Sequence, residues 1–194
     1  MTNLVIDAIH SRRSTRAFTE EQIPDEHLHA LLDVAVWASS GSNSQSWLFT
    51  AIQNKDIMMK LNQIVREGFM HRYEPDDDYP GKVFAKTAAQ NEKYNFYYHA
   101  PTFIIASNVP DYANAMADCA LGMENIFLAA ESLGLGSCYI NQVHWMEHDE
   151  ILRNFLAELG IPKEHTICAS ASIGYIAKPT VAQERKPNTV KIVR

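Results

Sequence analysis

Residues 12–16 read Arg-Arg-Ser-Thr-Arg, and residues 40–45 read Ser-Gly-Ser-Asn-Ser-Gln. The segment between them predicts one amphipathic helix, because residues 28–36 repeat apolar side chains at helical spacing. The first cluster holds three guanidinium groups beside hydroxyl groups, which are donors that suit phosphate and polarised carbonyl oxygens. The second cluster is a run of small polar residues whose backbone and amide groups can closely approach a flat heteroaromatic ligand. The two clusters in this order point to a site for a phosphate-bearing flavin.

Each cluster alone also has a plainer interpretation. A short basic run is usually a solvated surface or a weak nucleic-acid patch, and a stretch of Ser, Gly and Asn is ordinarily a loop. The formal net charge of −6 argues against general nucleic-acid affinity, because there is no excess of Lys and Arg to replace counterions along a phosphate backbone. The basic cluster is therefore a local exception in an acidic chain.

The length of 194 residues allows one well-buried domain, predicted over residues 1–194, whereas two domains would each be small. Asp7 and His10 interrupt the apolar run that a secretion signal needs, and no apolar run approaches the roughly 20 residues of a membrane-spanning helix. The three cysteines are Cys119, Cys138 and Cys168. Their odd number, wide spacing and apolar surroundings favour reduced core residues. We expect a cytoplasmic enzyme that binds neither membrane nor nucleic acid.

The hydrophobic pattern predicts alternating helices and strands. Helices are predicted near residues 3–11, 24–39, 57–65, 82–98, 111–133 and 151–159. Strands are predicted over residues 47–52, 102–107, 137–140 and 166–175. The second helix is expected to end at Ser39-Ser40-Gly41, with Gly41 free to adopt the left-handed conformation. Because strands and helices interleave, the pattern alone leaves α/β and α+β folds open.

Two segments outside these elements are unusual. Residues 71–81 form an acidic stretch with two chain breakers, which is either a mobile lid or a plain surface loop. Beyond Pro179 the tail is polar, but Val190, Ile192 and Val193 alternate with charged residues at its end. That tail has little to pack against within its own chain.

Later in the chain, residues 134–138 read Gly-Leu-Gly-Ser-Cys and residues 185–187 read Arg-Lys-Pro. Together with the two polar clusters, and in this order, they resemble the FMN-dependent nitroreductase family. The glycine turn at 134–136 is not a dinucleotide fingerprint, because it follows a helix and enters a strand. The resemblance implies an α+β fold, with a central, mostly antiparallel sheet flanked by helices, in an intertwined homodimer. It also implies an exchanged C-terminal segment, in which residues 190–193 add an edge strand to the partner subunit's sheet.

The resemblance assigns roles to the basic residues. Arg12 occupies the position that holds the FMN phosphate, and Arg13 and Ser14 add contacts there or along the ribityl chain. Arg16 occupies the position that faces N1 and the C2 carbonyl of the flavin, where a fixed cation favours the negatively charged reduced ring. Arg185 matches the late arginine that completes the phosphate site.

The polar loop matches the family with two departures. The family's Pro-Ser-Gly-x-Asn-x-Gln-Pro-Trp loop comes from the second subunit, and here Ser39 and Ser46 replace both prolines. The polar contacts are kept, whereas loop rigidity is open to question, because each proline would restrict alternative conformations. The loop residues implied to contact the cofactor are Ser40, Gly41, Asn43 and Gln45. From the first subunit, Ile140 and Asn141 follow the third strand and present backbone groups to the N5 edge.

The function implied by the resemblance is an NAD(P)H-dependent FMN oxidoreductase. In the implied ping-pong cycle, NAD(P)H gives a hydride to flavin N5 and leaves, and an electron-poor acceptor such as a nitroaromatic or a quinone takes its place. No side chain is expected to act as a catalytic group, since the flavin carries the chemistry. Five histidines lack any supported metal-ligand pattern and are interpreted as surface or packed residues. They are His27, His29, His144, His148 and His165.

Two other functions stay open at this stage. One is a specialised relative, such as a reductive dehalogenase or a flavin-consuming enzyme, in which Tyr73, Glu74 and Lys82 form a substrate clamp. The other is a non-catalytic flavin-binding or redox-sensing protein. Steady-state NAD(P)H oxidation with a nitroaromatic acceptor separates this last function from the enzymes.

Overall fold

The computed structural model describes residues 3–75 and 78–194, and its centre is one antiparallel sheet. The strands are β1 (Trp47–Ile52), β2 (Thr102–Asn108), β3 (Leu135–Ile140) and β4 (Thr166–Tyr175). They lie in the order β1-β2-β4-β3, and every neighbouring pair is antiparallel. The predicted α+β fold with a mostly antiparallel sheet is confirmed.

Helices cover both faces of this sheet. They are α1 (Leu4–Ser11), α2 (Asp25–Val36), α3 (Lys55–His71), α4 (Pro80–Ala88), α5 (Ala115–Ser132), α6 (Gln142–Trp145) and α7 (Glu150–Glu158). Asparagine side chains cap the first turns of α1 and α3: Asn3 accepts from the N–H groups of Val5 and Ile6, and Asn54 does the same for α3. The structure adds α6, which the sequence pattern did not predict.

The core is divided in two by the sheet. On β2, side chains alternate, so that Phe103 and Ile105 face one core while Ile104 and Ala106 face the other. The first core packs against α3 and α7, and the second against α2 and α5. All three cysteines are buried free thiols, as predicted.

Three predicted helices have other boundaries in the structure. The helix α2 ends at Val36, where Asn125 of α5 donates its Nδ2 to the carbonyl of Val34 at 3.0 Å and satisfies the helix end. The helix predicted over 82–98 begins at Pro80 and ends at Ala88, and turns follow. The helix α5 begins at Ala115 instead of near residue 111, after a turn in which Asp111 has a positive φ.

Tertiary bonds from α3 explain why the chain after Ala88 leaves the helix. Arg66 donates its Nε to the carbonyl of Ala89 at 2.9 Å. Asn62 donates to the carbonyl of Tyr94 at 3.0 Å and accepts from the N–H of Phe96 at 3.1 Å. Backbone groups that a longer helix would use are thus bonded to a neighbouring helix, which overrides the weak local pattern. Within the predicted acidic loop, Asp76 and Asp77 lie outside the described residues.

A large apolar surface remains exposed on the single chain. The helix α1 buries none of its residues, and Leu4, Val5, Ile6 and Ile9 are 48–86% exposed. Met116 on α5 is 42% exposed, and Ala120 of the same helix is exposed as well. Trp37, at the end of α2, is 80% exposed. Such a surface is characteristic of an interaction site.

The tail after Ile176 forms no strand within this chain. Val190, Ile192 and Val193 are 73–83% exposed. None of the helices in the described ranges combines the length and the apolar character needed to cross a membrane.

Candidate functional site

The basic cluster lies alongside β3, at one edge of the sheet. The N–H of Thr15 donates to the carbonyl of Ser137 at 2.8 Å, and Ser14 forms a parallel bridge with Ser137. Thr15 is 2% exposed and packs against Gly136, which lacks the Cβ that would otherwise collide with it. The backbone of the cluster is therefore fixed to the sheet while its charged side chains extend from it.

Two guanidinium groups lie close to the side chains of this edge. Arg12 is the C-cap of α1, and its guanidinium lies 3.7 Å from the Glu124 carboxylate and 5.9 Å from the centre of the Phe127 ring. Burial raises the pKa of the Cys138 thiol, and the positive charges of Arg16 and Arg12 oppose that rise. The positive charges of both guanidinium groups therefore act on the Cys138 side chain of β3.

The Arg13 side chain bonds to the backbone at the end of α1. It donates from Nη1 to the carbonyls of His10 and Arg12, both at 2.7 Å. These bonds satisfy carbonyls at the end of α1, as a basic residue there commonly does. The carbonyl of Ser14 accepts from the Thr180 hydroxyl at 3.3 Å, so the C-terminal tail leaves the body of the protein beside the basic cluster. Arg185 lies further along that exposed tail.

The polar loop of residues 40–45 has a strained backbone. Gly41 is not left-handed as predicted; instead Ser42, Asn43 and Gln45 have φ values of 53°, 55° and 48°. Non-glycine residues rarely occupy this region, and clusters of such residues are typical of functional sites. The amide of Gln45 donates to Asn43 Oδ1 at 2.9 Å, and the N–H of Gln45 donates to Ser40 Oγ at 3.2 Å. These bonds hold the side chains of the loop in one arrangement.

One chain does not bring the two clusters together. The polar loop precedes β1, the strand at one edge, whereas the basic cluster bridges β3, the strand at the other edge. Three strand spacings separate these edges, which is about 14 Å across the sheet.

The connection after β3 lies beside the basic cluster. Ile140 is 2% exposed, and its carbonyl accepts from the Ser170 hydroxyl at 2.8 Å. Asn141 follows as the N-cap of α6, with its carbonyl bonded to the N–H of Trp145 at 2.9 Å. Both residues thus lie on the strand edge that carries Arg12 and Arg16.

Known proteins of similar sequence and structure place this arrangement in a family. The family model described as the nitroreductase family matches residues 9–175. The chain belongs to the nitroreductase family. A nitroreductase from Bacteroides fragilis, crystallised with bound FMN, is 37% identical, and the match covers 100% of both chains with a TM-score of 0.89.

Two more distant relatives agree with this family membership. A nitroreductase from Desulfitobacterium hafniense with bound FMN, 24% identical over 100% of both chains, has the same fold with a TM-score of 0.84. A protein of Archaeoglobus fulgidus, provisionally named an NADH dehydrogenase/NAD(P)H nitroreductase, is 28% identical over 86% of this chain and 82% of its own length.

A cavity of about 380 Å³ lies between the end of α3 and α6 of this family member. Tyr73, Glu74 and Lys82, grouped from the sequence as a possible clamp, all line it, together with His144 and Trp145. The Glu74 carboxylate pairs with Lys86 of α4 at 2.5 Å. Of the predicted acidic loop, residues 72–74 therefore line a cavity beside α6.

Two of the histidines are packed, as predicted. His144 Nδ1 lies 2.6 Å from the carbonyl of Ile167, and His165 Nδ1 lies 3.1 Å from the Ser107 hydroxyl. Sequence reasoning missed two residues that bond to the polar loop, Asp118 and Tyr112. Asp118 is 3% exposed, and the signal that could have revealed it is an acidic residue at helical spacing from Ala115, Gly122 and Ile126 on the apolar face of α5.

We predict that Gly136→Ala displaces the basic cluster from β3. The added Cβ would lie 2.6 Å from Thr15 Oγ1 and 2.8 Å from Thr15 Cβ. We expect a loss of about 1–3 kcal/mol in the free energy of unfolding in urea, with faster hydrogen exchange at the Thr15 amide. Cys138→Ala, on the same strand, is the control and should leave that amide protected. Equal protection of Thr15 in Gly136→Ala and the unaltered protein would contradict the prediction.

Proposed function

We propose that this chain is an NAD(P)H-dependent FMN oxidoreductase that reduces electron-poor acceptors such as nitroaromatics or quinones. The observation that carries the proposal is the pairing of residues 14 and 15 with Ser137, which places the segment of Arg12 and Arg16 beside the edge strand β3. Membership of the nitroreductase family and the 37% identity with an FMN-bound nitroreductase support the same cofactor.

The residues at the edge of β3 fit the chemistry of FMN. Arg12 and the Ser14 hydroxyl offer charge-assisted and neutral donors for the phosphate, and Arg185 of the tail adds a third. Arg16, further along the same edge, offers the cation for the N1 and C2 carbonyl end of the ring, where it favours the reduced state. Ile140 and Asn141 supply backbone groups at the N5 edge.

When bound, FMN supplies the two-electron chemistry, taking a hydride from NAD(P)H and passing it to the acceptor. The chain's own residues bind and orient the partners, and one site serves donor and acceptor in turn, which is a ping-pong cycle.

We infer that the working form is a homodimer. The apolar residues of α1, Trp37 and Met116 lie on the surface of the single chain, and a second copy would cover them. The position of the two clusters at opposite edges of the sheet supports the same assembly. In a dimer, Ser40, Gly41, Asn43 and Gln45 of one chain reach the flavin held by Arg12 of the other.

In this dimer the tail would extend toward the partner subunit. It departs from the body of its own subunit at the hydrogen bond between the Thr180 hydroxyl and the Ser14 carbonyl. The strand β1 pairs with β2 on one side, and its other side is a sheet edge. Pairing of residues 190–193 with β1 of the partner subunit would complete the backbone bonds of both segments. The tail would thereby join its own basic cluster to the partner subunit's polar loop.

A specialised acceptor range is the second candidate function. Its support is the cavity of about 380 Å³ that Tyr73, Glu74 and Lys82 line together. Glu74→Gln and Lys82→Met should then lower kcat/KM for one acceptor class much more than for others. A uniform change for nitroaromatics and quinones would favour the broad acceptor range.

The first test is the absorption spectrum of the purified protein. We expect a yellow protein with about one non-covalent FMN per subunit, because the arginines define a phosphate site. Anaerobic titration with NADH and with NADPH then measures flavin reduction and donor choice together. A colourless protein that cannot be reconstituted with FMN would contradict the proposed function.

We predict that Arg12→Ala and Arg16→Ala have different effects. Arg12→Ala loses a charge-assisted phosphate contact of about 1.5–3 kcal/mol, so FMN should bind roughly 10- to 100-fold more weakly with little change in potential. Arg16→Ala should lower the midpoint potential of the bound flavin and slow its reduction. Equilibrium dialysis and anaerobic dye titration measure the two quantities, with Arg12→Lys as the charge-retaining control. If both variants change only the affinity for FMN, Arg16 does not tune the potential of the flavin, and the role assigned to it is wrong.

We predict that truncation after Ala182 causes loss of FMN and loss of the dimer in one step. The truncated chain lacks both Arg185 and the segment that pairs with the partner. Size-exclusion chromatography with light scattering, read beside flavin absorbance, measures both. A charge-conserving control, Lys191→Arg, should remain dimeric and yellow. A truncated protein that stays dimeric and fully yellow refutes the exchanged tail.

A further inference from the structure

Asp118 is a buried carboxylate that bonds to the polar loop. It lies in the first turn of α5 and is 3% exposed. Its two oxygens accept from the N–H of Gly41 at 3.2 and 3.1 Å, and Oδ2 also accepts from the Tyr112 hydroxyl at 2.9 Å. A buried carboxylate needs such donors, since burial without them is strongly unfavourable. The buried carboxylate therefore relies on the N–H of Gly41 as a donor, and the loop is bonded to α5 through the same contact.

Tyr112 extends this contact to the rest of the loop. Its hydroxyl lies 3.0 Å from the carbonyl of Gly41, and it accepts from the Ser44 hydroxyl at 3.0 Å. Gly41 is necessary at this point, because a Cβ there would lie 2.5 Å from the Tyr112 hydroxyl and 2.2 Å from Asn114 Nδ2. The two side chains thus bond to both ends of the turn that Gly41 begins.

The loop needs an external anchor. Three of its residues, Ser42, Asn43 and Gln45, have left-handed backbones that non-glycine residues adopt only at a cost in free energy. The prolines that would restrict the loop in the family motif are Ser39 and Ser46 in this chain. Without them the unanchored loop has more alternative conformations to occupy.

We propose that Asp118, together with Tyr112, is the positioning residue that holds residues 40–45 in the conformation that contacts FMN. This inference rests on the proposed function, in which the loop binds the flavin of the partner subunit. Asp118 acts through the loop and does not touch the cofactor. The anchor takes over the role of the two absent prolines.

The test compares Asp118→Ala and Asp118→Asn with Ile126→Val. Asparagine keeps an oxygen that can accept from Gly41, whereas alanine keeps none. Ile126 is a fully buried residue of the same helix that packs in the core between α5 and the sheet, so its substitution controls for a general loss of stability. Two quantities are measured: hydrogen exchange of residues 40–46 in the FMN-free protein, and the Kd for FMN.

We expect Asp118→Ala to raise exchange specifically in residues 40–46 and to weaken FMN binding at least about tenfold. Asp118→Asn should remain within about threefold of the unaltered affinity, because the acceptor is kept. Ile126→Val should lower the melting temperature and leave both quantities unchanged. If Asp118→Ala does not fold, Tyr112→Phe, which removes one hydroxyl, should show the same two effects to a smaller degree.

Three outcomes would overturn the inference. One is faster exchange with unaltered FMN affinity, since Asp118 would then be merely structural. The second is equal loss in Asp118→Asn and Asp118→Ala, and the third is unaltered exchange in Asp118→Ala and Tyr112→Phe. A protein that binds no FMN even without substitution refutes the proposed function instead, and the exchange measurement still reports whether Asp118 anchors the loop.

Discussion

The strand order β1-β2-β4-β3 is the constraint on which the rest of the structure depends. It puts the segment that follows α1 at one edge and the segment that precedes β1 at the other. Since β2 and β4 are buried along almost their whole length between two cores, this order is fixed by hydrophobic packing on both faces. The two clusters that we propose to bind the flavin are therefore separated within one chain, and the proposed dimer would bring them together.

The helix α1 shows how closely site and assembly are connected. It buries no residue in its own chain, yet Arg12 stands at its C-cap and Arg13 bonds to the carbonyls at its end. An amphipathic helix without a covered face gains little stability from packing. Coverage of Leu4, Val5 and Ile9 by a second subunit would thus stabilise the helix whose end holds the arginines.

The sequence predicted the strands well, because residues 47–52 and 166–175 are continuous apolar or β-prone runs bounded by turns. The residue types of the basic cluster revealed the cluster itself, but its attachment to β3 was not predicted, since no local pattern indicates that Thr15 bonds to Ser137. The helix predicted after Ala88 is absent because side chains of α3 bond to the backbone of this segment. Such tertiary bonds cannot be read from local helix propensity.

Gly41 was expected to supply the left-handed turn, because it has no Cβ. Instead it supplies space for Tyr112 and Asn114, and the strain falls on the residues that follow.

The helix α5 contacts both the polar loop and the basic cluster within one chain. Its first turn carries Asp118 under the polar loop, and about 13 Å further along its Phe127 faces the guanidinium of Arg12. Small residues let this helix pack closely on its neighbours. Gly122, for example, lies against Phe49 of β1 and the carbonyl of Ala35. In the proposed dimer, each α5 would lie between two flavin sites, with Asp118 beneath the loop that reaches one flavin and Phe127 beside the arginine that binds the other.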